Sequence, residues 1–239
     1  MSELRVEGLT KRFGGLRVFH DIEFSLPPGA LMGVIGPNGA GKTTLINVIS
    51  GRQPPSGGRV FLGGRDVTGQ PAHAISRLGV GRSFQQTNTF KGVSVRENIA
   101  RAIRFGRRGI PQGLEQLMGQ FGLIPRLDEQ SDKLPYGSQK MLGLVMAYAA
   151  GPKVLLLDEP AAGLERSERD NVDLFVDHVR RVGGASVLII EHDMDLIRRL
   201  CPRIIVLDAG EVLADGPPAA VLARPDVIAA YLGDTEDAA

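Results

Sequence analysis

Residues 36–44 of this chain read GPNGAGKTT and match the pattern G-x-x-x-x-G-K-[ST] of a phosphate-binding loop. Glycine permits backbone angles that a β-carbon forbids, so successive N–H groups of such a loop can turn inward around anionic phosphates. The lysine then reaches the β- and γ-phosphates, and the hydroxyl that follows it completes the shell of a Mg²⁺ ion. The residues predicted to bind phosphate are Gly36, Asn38, Gly39, Ala40, Gly41, Lys42, Thr43 and Thr44, and Thr43 is also predicted to bind the metal.

The segments on either side of this loop are those that the motif requires. An apolar run at residues 31–35 predicts a short buried strand before the loop, and residues 44–50 predict a helix after it. A helix that begins near Lys42 adds the positive end of its dipole and its unpaired N–H groups to the phosphate site. A glycine turn without a ligand is the alternative, and the complete strand, loop and helix favour a nucleotide.

Residues 154–160 (VLLLDEP) place two acids directly after four apolar residues. A buried strand that stops at Asp158 and Glu159 puts both carboxylates at the carboxyl edge of a sheet, where ligands bind in open α/β folds. Asp158 is expected to help hold Mg²⁺, and Glu159 to polarise the attacking water as a general base. A helix cap is the alternative for two such acids, and the phosphate loop upstream disfavours it.

Composition limits the class of protein. A chain of 239 residues with one phosphate loop can form one nucleotide-binding unit with a sizeable core. Its charges nearly balance at +1, so no global field indicates binding to nucleic acid or to an anionic membrane. We see no long apolar run and no amino-terminal signal segment, and we therefore expect a cytoplasmic protein. The single cysteine, Cys201, is predicted to be a packing residue in a reducing compartment.

Three regions of the chain differ in their patterns. Residues 1–86 open with alternating apolar and polar side chains, which predict an antiparallel sheet beside a nucleotide-binding core. Residues 87–150 show helical spacing without strand signals. Residues 151–239 alternate strands with helices, as a parallel sheet with crossover helices does, and end in a frayed tail at 233–239. We predict a single α/β domain whose mixed sheet core carries an amino-terminal antiparallel sheet and an inserted all-helical subdomain at 87–150.

The middle region is predicted to contain helices at residues 95–105, 112–121 and 139–150. It also carries a cluster of positive charge, for which a solvated helix face is the preferred interpretation. Contact with lipid headgroups or with an acidic partner is the alternative. The basic residues concerned are Arg101, Arg104, Arg107 and Arg108.

Taken together, these motifs resemble the ATPase subunit of an ABC transporter, and the resemblance covers nearly the whole chain. It implies that Phe13, in the predicted turn KRFGG at residues 11–15, stacks on adenine. It also implies that Gln85 ligates Mg²⁺ or water and responds to membrane subunits, and that His192 hydrogen-bonds the γ-phosphate. The catalytic residues expected from it are Lys42, Gln85, Glu159 and His192, and the metal-binding residues are Thr43, Gln85 and Asp158.

Residues 134–139 (LPYGSQ) stand where that family carries its signature loop, commonly L-S-G-G-Q. In the family this loop caps the γ-phosphate of ATP held by the opposite subunit, with a hydroxyl, glycine N–H groups and a helix dipole. Here a proline replaces the serine and a tyrosine the first glycine. Either Ser138 and backbone groups suffice, or this half of the dimer closes over a weaker site. The residues expected to contact the partner's nucleotide are Pro135, Tyr136, Gly137, Ser138 and Gln139.

Four short segments are similar to the ATPases of branched-chain (hydrophobic) amino acid importers: residues 12–16, 81–85, 134–137 and 230–233. The resemblance implies hydrolysis of ATP with Mg²⁺ by a head-to-tail dimer with a like or unlike ATPase subunit. It further implies transmembrane permease subunits at the inner face of the plasma membrane, indirect cooperation with a solute-binding protein, and no nucleic acid. A nucleotide-gated module with weak hydrolysis, and the ATPase of another ABC system such as a lipid or lipopolysaccharide exporter, are the alternatives.

Overall fold

The computed structural model describes residues 3–83 and 89–236, with the backbone alone at residues 232–236. These residues form two sheets and a set of helices joined by short turns. In chain order the strands are β1 (Leu4–Phe13), β2 (Leu16–Leu26), β3 (Leu31–Ile35), β4 (Gly57–Leu62), β5 (Arg65–Asp66), β6 (Val80–Arg82), β7 (Val154–Asp158), β8 (Ser186–Ile190), β9 (Arg203–Asp208) and β10 (Glu211–Gly216). The helices are α1 (Lys42–Ile49), α2 (Ala72–Leu78), α3 (Val95–Gly106), α4 (Leu114–Gln120), α5 (Tyr136–Ala149), α6 (Arg166–Arg181), α7 (Met194–Leu200), α8 (Pro218–Val221) and α9 (Pro225–Glu236).

The larger sheet has the strand order β10-β9-β3-β8-β7-β6. Strands β6, β7, β8, β3 and β9 run parallel, and β10 is antiparallel to β9. Strands β7 and β8 are buried along their whole length. Leu155 and Leu157 face the hydrophobic cluster that includes α3, α4, α5, α6 and α7, whereas Leu156 faces the cluster shared with α1 and the smaller sheet. Burial on both faces explains why these strands read as continuous apolar runs.

The smaller sheet is antiparallel, with the order β2-β1-β4-β5, and packs over α1. Strand β1 continues to Phe13, which pairs with Leu16. The predicted turn at residues 11–15 is therefore wrong in its first three residues, and the chain reverses at Gly14 and Gly15. Gly14 has φ 55°, a left-handed conformation that suits glycine in so tight a turn.

The described part of the middle region is built from α3, α4 and α5, with two short 3-10 helices at Ile124–Arg126 and Ser131–Lys133. Helix α5 begins at Tyr136, three residues before the predicted start, with Pro135 at its N-cap position. Strands β5 and β10 were not predicted, and α9 continues to Glu236, four residues into the tail at 233–239 that was predicted to be frayed. Within residues 3–83 and 89–236, none of the helices combines the length and the apolar character needed to cross a membrane.

Cys201 is buried at 3% exposure, in agreement with the predicted packing role. Burial raises the pKa of its thiol to about 12, so the side chain is uncharged at neutral pH. Its sulfur lies close to β3, where a β-carbon on Gly33 would come within 3.2 Å of it. Cys201 thus fills space between α7 and the central sheet.

The ends of α3 and α5 approach too closely for a side chain, and this contact predicts a stability effect. A β-carbon on Gly106 would overlap the carbonyl of Ala150. We expect Gly106→Ala to lower the free energy of unfolding by about 1–3 kcal/mol, as overpacking does. The matched change Gly119→Ala, in α4, meets only Ile124 Cδ1 at 3.5 Å and should raise stability by up to about 1 kcal/mol. Urea denaturation of both variants measures the difference, and equal effects would contradict the steric argument.

Candidate nucleotide-binding and catalytic site

Three neighbouring parallel strands deliver the predicted site residues to one edge of the larger sheet. The phosphate loop follows β3, Glu159 follows β7, and His192 follows β8, which lies between the other two. Ile190 pairs in register with Val34 of β3 and with Asp158 of β7. The carboxyl ends of the three strands are therefore level, and the segments that follow them meet at the same edge.

The phosphate loop wraps around its own lysine. Gly41 caps α1 with φ 95°, a conformation that other residues rarely adopt. A β-carbon on Gly36 would overlap the carbonyl of Leu207, so a side chain is excluded there too. Lys42 is buried, and its Nζ donates to the carbonyls of Gly36 and Pro37 at 2.6 and 2.8 Å. Among the other predicted loop residues, Ala40 is buried, Thr44 is half-buried, and Asn38, Gly39 and Thr43 are exposed.

The oxygen atoms beside this loop fit a Mg²⁺ ion. Thr43 Oγ1 donates to Asp158 Oδ1 at 3.5 Å, so a hydroxyl and a carboxylate oxygen lie side by side at the start of α1. Hard oxygen ligands of this kind, completed by phosphate and water, are what Mg²⁺ prefers. Thr43 and Asp158 would hold the ion. Gln85, the third predicted metal-binding residue, lies outside the described residues, and its role stays a prediction.

Arg82 orients Asp158, a role that sequence analysis did not assign. Its Nη2 lies 3.0 Å from Asp158 Oδ2, and both side chains are under one-tenth exposed. Its Nη1 donates to Asn47 Oδ1 at 2.6 Å and to Ser50 Oγ at 3.2 Å, both near α1. Burial raises the pKa of Asp158, and the guanidinium of Arg82 opposes that rise. One carboxylate oxygen is thus paired with Arg82 while the other points to Thr43.

Glu159 and His192 lie within hydrogen-bond distance of each other. Glu159 Oε1 is 3.1 Å from His192 Nε2, and the glutamate side chain is 18% exposed while that of the histidine is 42% exposed. Glu159 has φ 49°, an uncommon backbone conformation for a residue other than glycine. A partly exposed carboxylate held beside an imidazole is suited to take a proton from water.

Two further charged side chains lie behind this pair and were not assigned from the sequence. Lys140 of α5 and Glu191 after β8 are each only 3% exposed. Burial lowers the pKa of Lys140 and raises that of Glu191. Signals for both exist in the sequence, because Lys140 begins an otherwise apolar helical run and Glu191 follows four apolar residues just as Asp158 does.

The signature segment packs against the start of α6 in its own chain. Tyr136 lies against Gly163, where a β-carbon would come within 2.8 Å of the tyrosine hydroxyl. A β-carbon on Gly137 would overlap the carboxylate of Glu168. Ser138 lies half-buried in the first turn of α5, and Pro135 is exposed before it. Gln139 is half-buried, and its Nε2 donates to the carbonyl of Leu134 at 2.8 Å. The structure thus brings the five predicted residues together at one helix start.

Phe13 lies at the end of β1 with 46% of its surface exposed. The ammonium of Lys11 lies 4.6 Å from the centre of the ring and also donates to the carbonyl of Pro54 at 2.7 Å. One side of the ring is therefore engaged by a cation fixed to a neighbouring turn. The exposed remainder of the ring is what a stacked base would use.

Comparison with known proteins identifies the family. A family model described as ABC transporter matches residues 19–162. The high-affinity branched-chain amino acid transport ATP-binding protein LivG of Escherichia coli K12 is 36% identical over 97% of this chain and 98% of its own length. BraF of Pseudomonas aeruginosa, of the same description, is 35% identical over 97% and 98%. The chain belongs to the ABC transporter family. The predicted resemblance is confirmed, and ATP hydrolysis is the activity of the chain.

Solved structures agree with this assignment. The ADP conformation of MJ1267, an ATP-binding cassette of an ABC transporter, matches with a TM-score of 0.85 and 28% identity over 98% of this chain and 99% of that chain. The dimeric cassette MJ0796 shares the fold, with a TM-score of 0.79 and 21% identity over 90% and 98%. A second family model, described as branched-chain amino acid ATP-binding cassette transporter, matches residues 211–237. The predicted ABC-ATPase fold class is confirmed.

The position of Phe13 predicts a measurable contribution to ATP affinity. Stacking on a base is worth about 1–3 kcal/mol, so Phe13→Ala should weaken ATP binding by roughly 5- to 150-fold without abolishing it. Phe61 offers a matched control, since it lies in the same sheet with the guanidinium of Arg5 4.6 Å from its ring. Phe61→Ala should leave affinity unchanged. Titration of both variants with a fluorescent ATP analogue tests this, and equal affinities would remove Phe13 from the site.

Proposed function

We propose that this chain is the ATP-hydrolysing subunit of an importer for branched-chain or related amino acids. The names of LivG and BraF support this substrate class, as does the match of residues 211–237 to the branched-chain family model. The chain would lie in the cytoplasm against the inner face of the membrane, bound to permease subunits. A solute-binding protein would deliver the amino acid to those subunits.

The hydrogen bond between Glu159 and His192 carries the hydrolytic part of the proposal. It lies at the sheet edge that also holds Lys42, so a nucleotide in the phosphate loop presents its terminal phosphate to both side chains. Glu159 accepts the proton of the attacking water, and His192 orients the carboxylate and contacts the γ-phosphate. Lys42 and the loop N–H groups bind the phosphates. Thr43 and Asp158 would hold Mg²⁺, with Gln85 as the third predicted ligand, and the ion would supply neutralisation of phosphate charge.

A second subunit would complete the site from outside. Helix α5 has 14 residues, and its start carries unpaired N–H groups and the positive end of the helix dipole. Ser138 in its first turn supplies a hydroxyl in place of the missing signature serine. In a head-to-tail dimer these groups contact the γ-phosphate of the partner's ATP. Weak hydrolysis at that site is the second candidate, because Ser138 lies three residues further along the segment.

A groove between α3, α5 and the core supports the proposed permease contact. Its volume is about 560 Å³, and Phe90, Phe105 and Arg101 lie along it. Phe90 and Phe105 are about half exposed, and the Arg101 guanidinium lies 5.0 Å from the centre of the Phe90 ring. An apolar groove with aromatic walls and a basic residue suits an amphipathic helix. We propose that a cytoplasmic helix of the permease docks there.

Replacing Glu159 by Gln tests the hydrolytic proposal. The amide keeps the size of the side chain but cannot accept the proton, so kcat should fall by about 100-fold or more. ATP affinity should stay within about threefold of wild type, because the phosphate loop is intact. Glu115→Gln, an exposed acid on α4, is the control and should hydrolyse normally. Phosphate release assays measure turnover, and hydrolysis by the Glu159 variant at the wild-type rate would remove this residue from the mechanism.

Replacing Phe105 by Asp tests the docking groove. The substitution removes an aromatic wall of the apolar contact and puts in its place a carboxylate that must be desolvated on docking, so it should abolish co-purification with the permease subunits. Basal ATP hydrolysis by the purified chain should not change. Leu174→Asp, on the exposed face of α6, is the matched control. Co-expression with the permease, detergent extraction and affinity purification give the readout. Retention of the Phe105 variant at the wild-type ratio would place the docking surface elsewhere.

A further inference from the structure

Residues 159–162 form a tight turn after β7, and this turn carries the side chain of Glu159. The N–H of Glu159 donates to the carbonyl of Ile190 at 2.9 Å, and the N–H of Ala162 donates to the carbonyl of Glu159 at 3.1 Å. The left-handed backbone of Glu159 persists only if its surroundings hold it, since a non-glycine residue rarely adopts it. The surroundings that do so are charged.

Lys140 holds the carbonyl groups of this turn. Its Nζ donates to the carbonyl oxygens of Glu159 and Ala162, both at 3.2 Å. The side chain is buried, and the nearby carboxylates of Glu191 and Glu159 counteract the effect of burial on its pKa. The lysine comes from the first turns of α5, so the ammonium also joins the signature helix to the turn.

Glu191 holds the N–H groups on the other side. Its Oε1 accepts from the N–H of Ala161 at 2.7 Å, and its Oε2 accepts from the N–H of His192 at 3.1 Å. Each oxygen of one buried carboxylate is thus committed to a different segment of the site. The turn and the histidine are tied to the same side chain.

We propose that Lys140 and Glu191 are positioning residues for ATP hydrolysis. The buried ammonium of Lys140 holds the carbonyl groups of turn 159–162, and the buried carboxylate of Glu191 holds an N–H group of the same turn and the N–H of His192. Together they fix the backbone of Glu159 and of His192, whose side chains meet at 3.1 Å. The inference rests on the proposed role of Glu159 as the base. The two buried charges thus fix the position of the base and of the histidine, which the phosphate loop and the metal-binding residues do not do.

Stability alone is a weak reason for these charges. Buried charges are costly to desolvate, and well-packed apolar side chains can often replace them without loss. Apolar side chains cannot supply hydrogen bonds to the backbone N–H and carbonyl groups of turn 159–162, which must keep one geometry. A displacement of about 1 Å in a catalytic group can reduce turnover by about 100-fold.

The experiment compares three variants of the full chain: Lys140→Met, Glu191→Gln and Lys153→Met. Lys153 is an exposed lysine just before β7, at the opposite end of that strand from Glu159, and serves as the matched control. Glu191→Gln keeps the shape of the side chain, but its amide can accept only one of the two N–H groups. Steady-state hydrolysis gives kcat and KM, and thermal unfolding confirms that each variant is folded.

We expect kcat to fall by about 10- to 100-fold for Lys140→Met and Glu191→Gln, with KM within about threefold of wild type. A loss of packing alone would lower the midpoint of unfolding without this split between kcat and KM. Lys153→Met should match wild type. If Lys140→Met does not fold, the isosteric Glu191→Gln decides the question.

The two substitutions should also lose their effect when the base is absent. Added to Glu159→Gln, each should change the residual single-turnover rate by less than about twofold, because residues that act through one group are not additive. Folded variants with wild-type kcat, or an undiminished effect in the Glu159→Gln background, would overturn the inference. If Glu159→Gln hydrolyses ATP as fast as wild type, the proposed function itself is contradicted. The two failures are therefore distinguishable.

Discussion

The level register of β3, β8 and β7 is the constraint on which the site depends. Because these strands are parallel neighbours, their pairing alone brings together the segments that leave their carboxyl ends. Both faces of β7 and β8 are buried, and a slip of one residue would exchange the side chains between the two hydrophobic clusters. The apolar core therefore fixes the separation of the phosphate loop, Glu159 and His192 before any polar contact is made.

The buried charged side chains at this edge of the sheet lie near charges of opposite sign. Asp158 shares a salt bridge with Arg82, and the charge of Glu191 counteracts the effect of burial on the pKa of Lys140. An isolated charge so deeply buried would shift its pKa until it became neutral, or would destabilise the fold by several kcal/mol. Nearby opposite charges offset part of this cost while hydrogen bonds direct the oxygens of each acid. The same interactions that make the charges tolerable thus orient the groups needed for chemistry.

Sequence analysis predicted the parts of the site whose signals are local. The phosphate loop and the acids after β7 each occupy a short stretch, with a strand pattern beside it. Arg82, Lys140 and Glu191 have partners 76, 19 and 30 residues away, and only the strand order brings them together. Strand β10 was missed for a related reason, since it pairs with β9 across a tight turn at the edge of the sheet, where alternation is weak. The order of strands is not encoded in periodicity.

The unusual letters of the signature segment follow from a close approach within the chain. Tyr136 occupies the place of a glycine and can do so because it packs against Gly163, which has φ 76° and no side chain. Gly137, which is retained, lies where a β-carbon would overlap Glu168, whose carboxylate accepts the N–H of Glu165 in the capping box of α6. The signature segment and the segment before α6 can therefore approach closely because each contributes one glycine, Gly137 and Gly163. The signature segment is thus packed against the start of α6 and, through Lys140, hydrogen-bonded to the turn that carries Glu159.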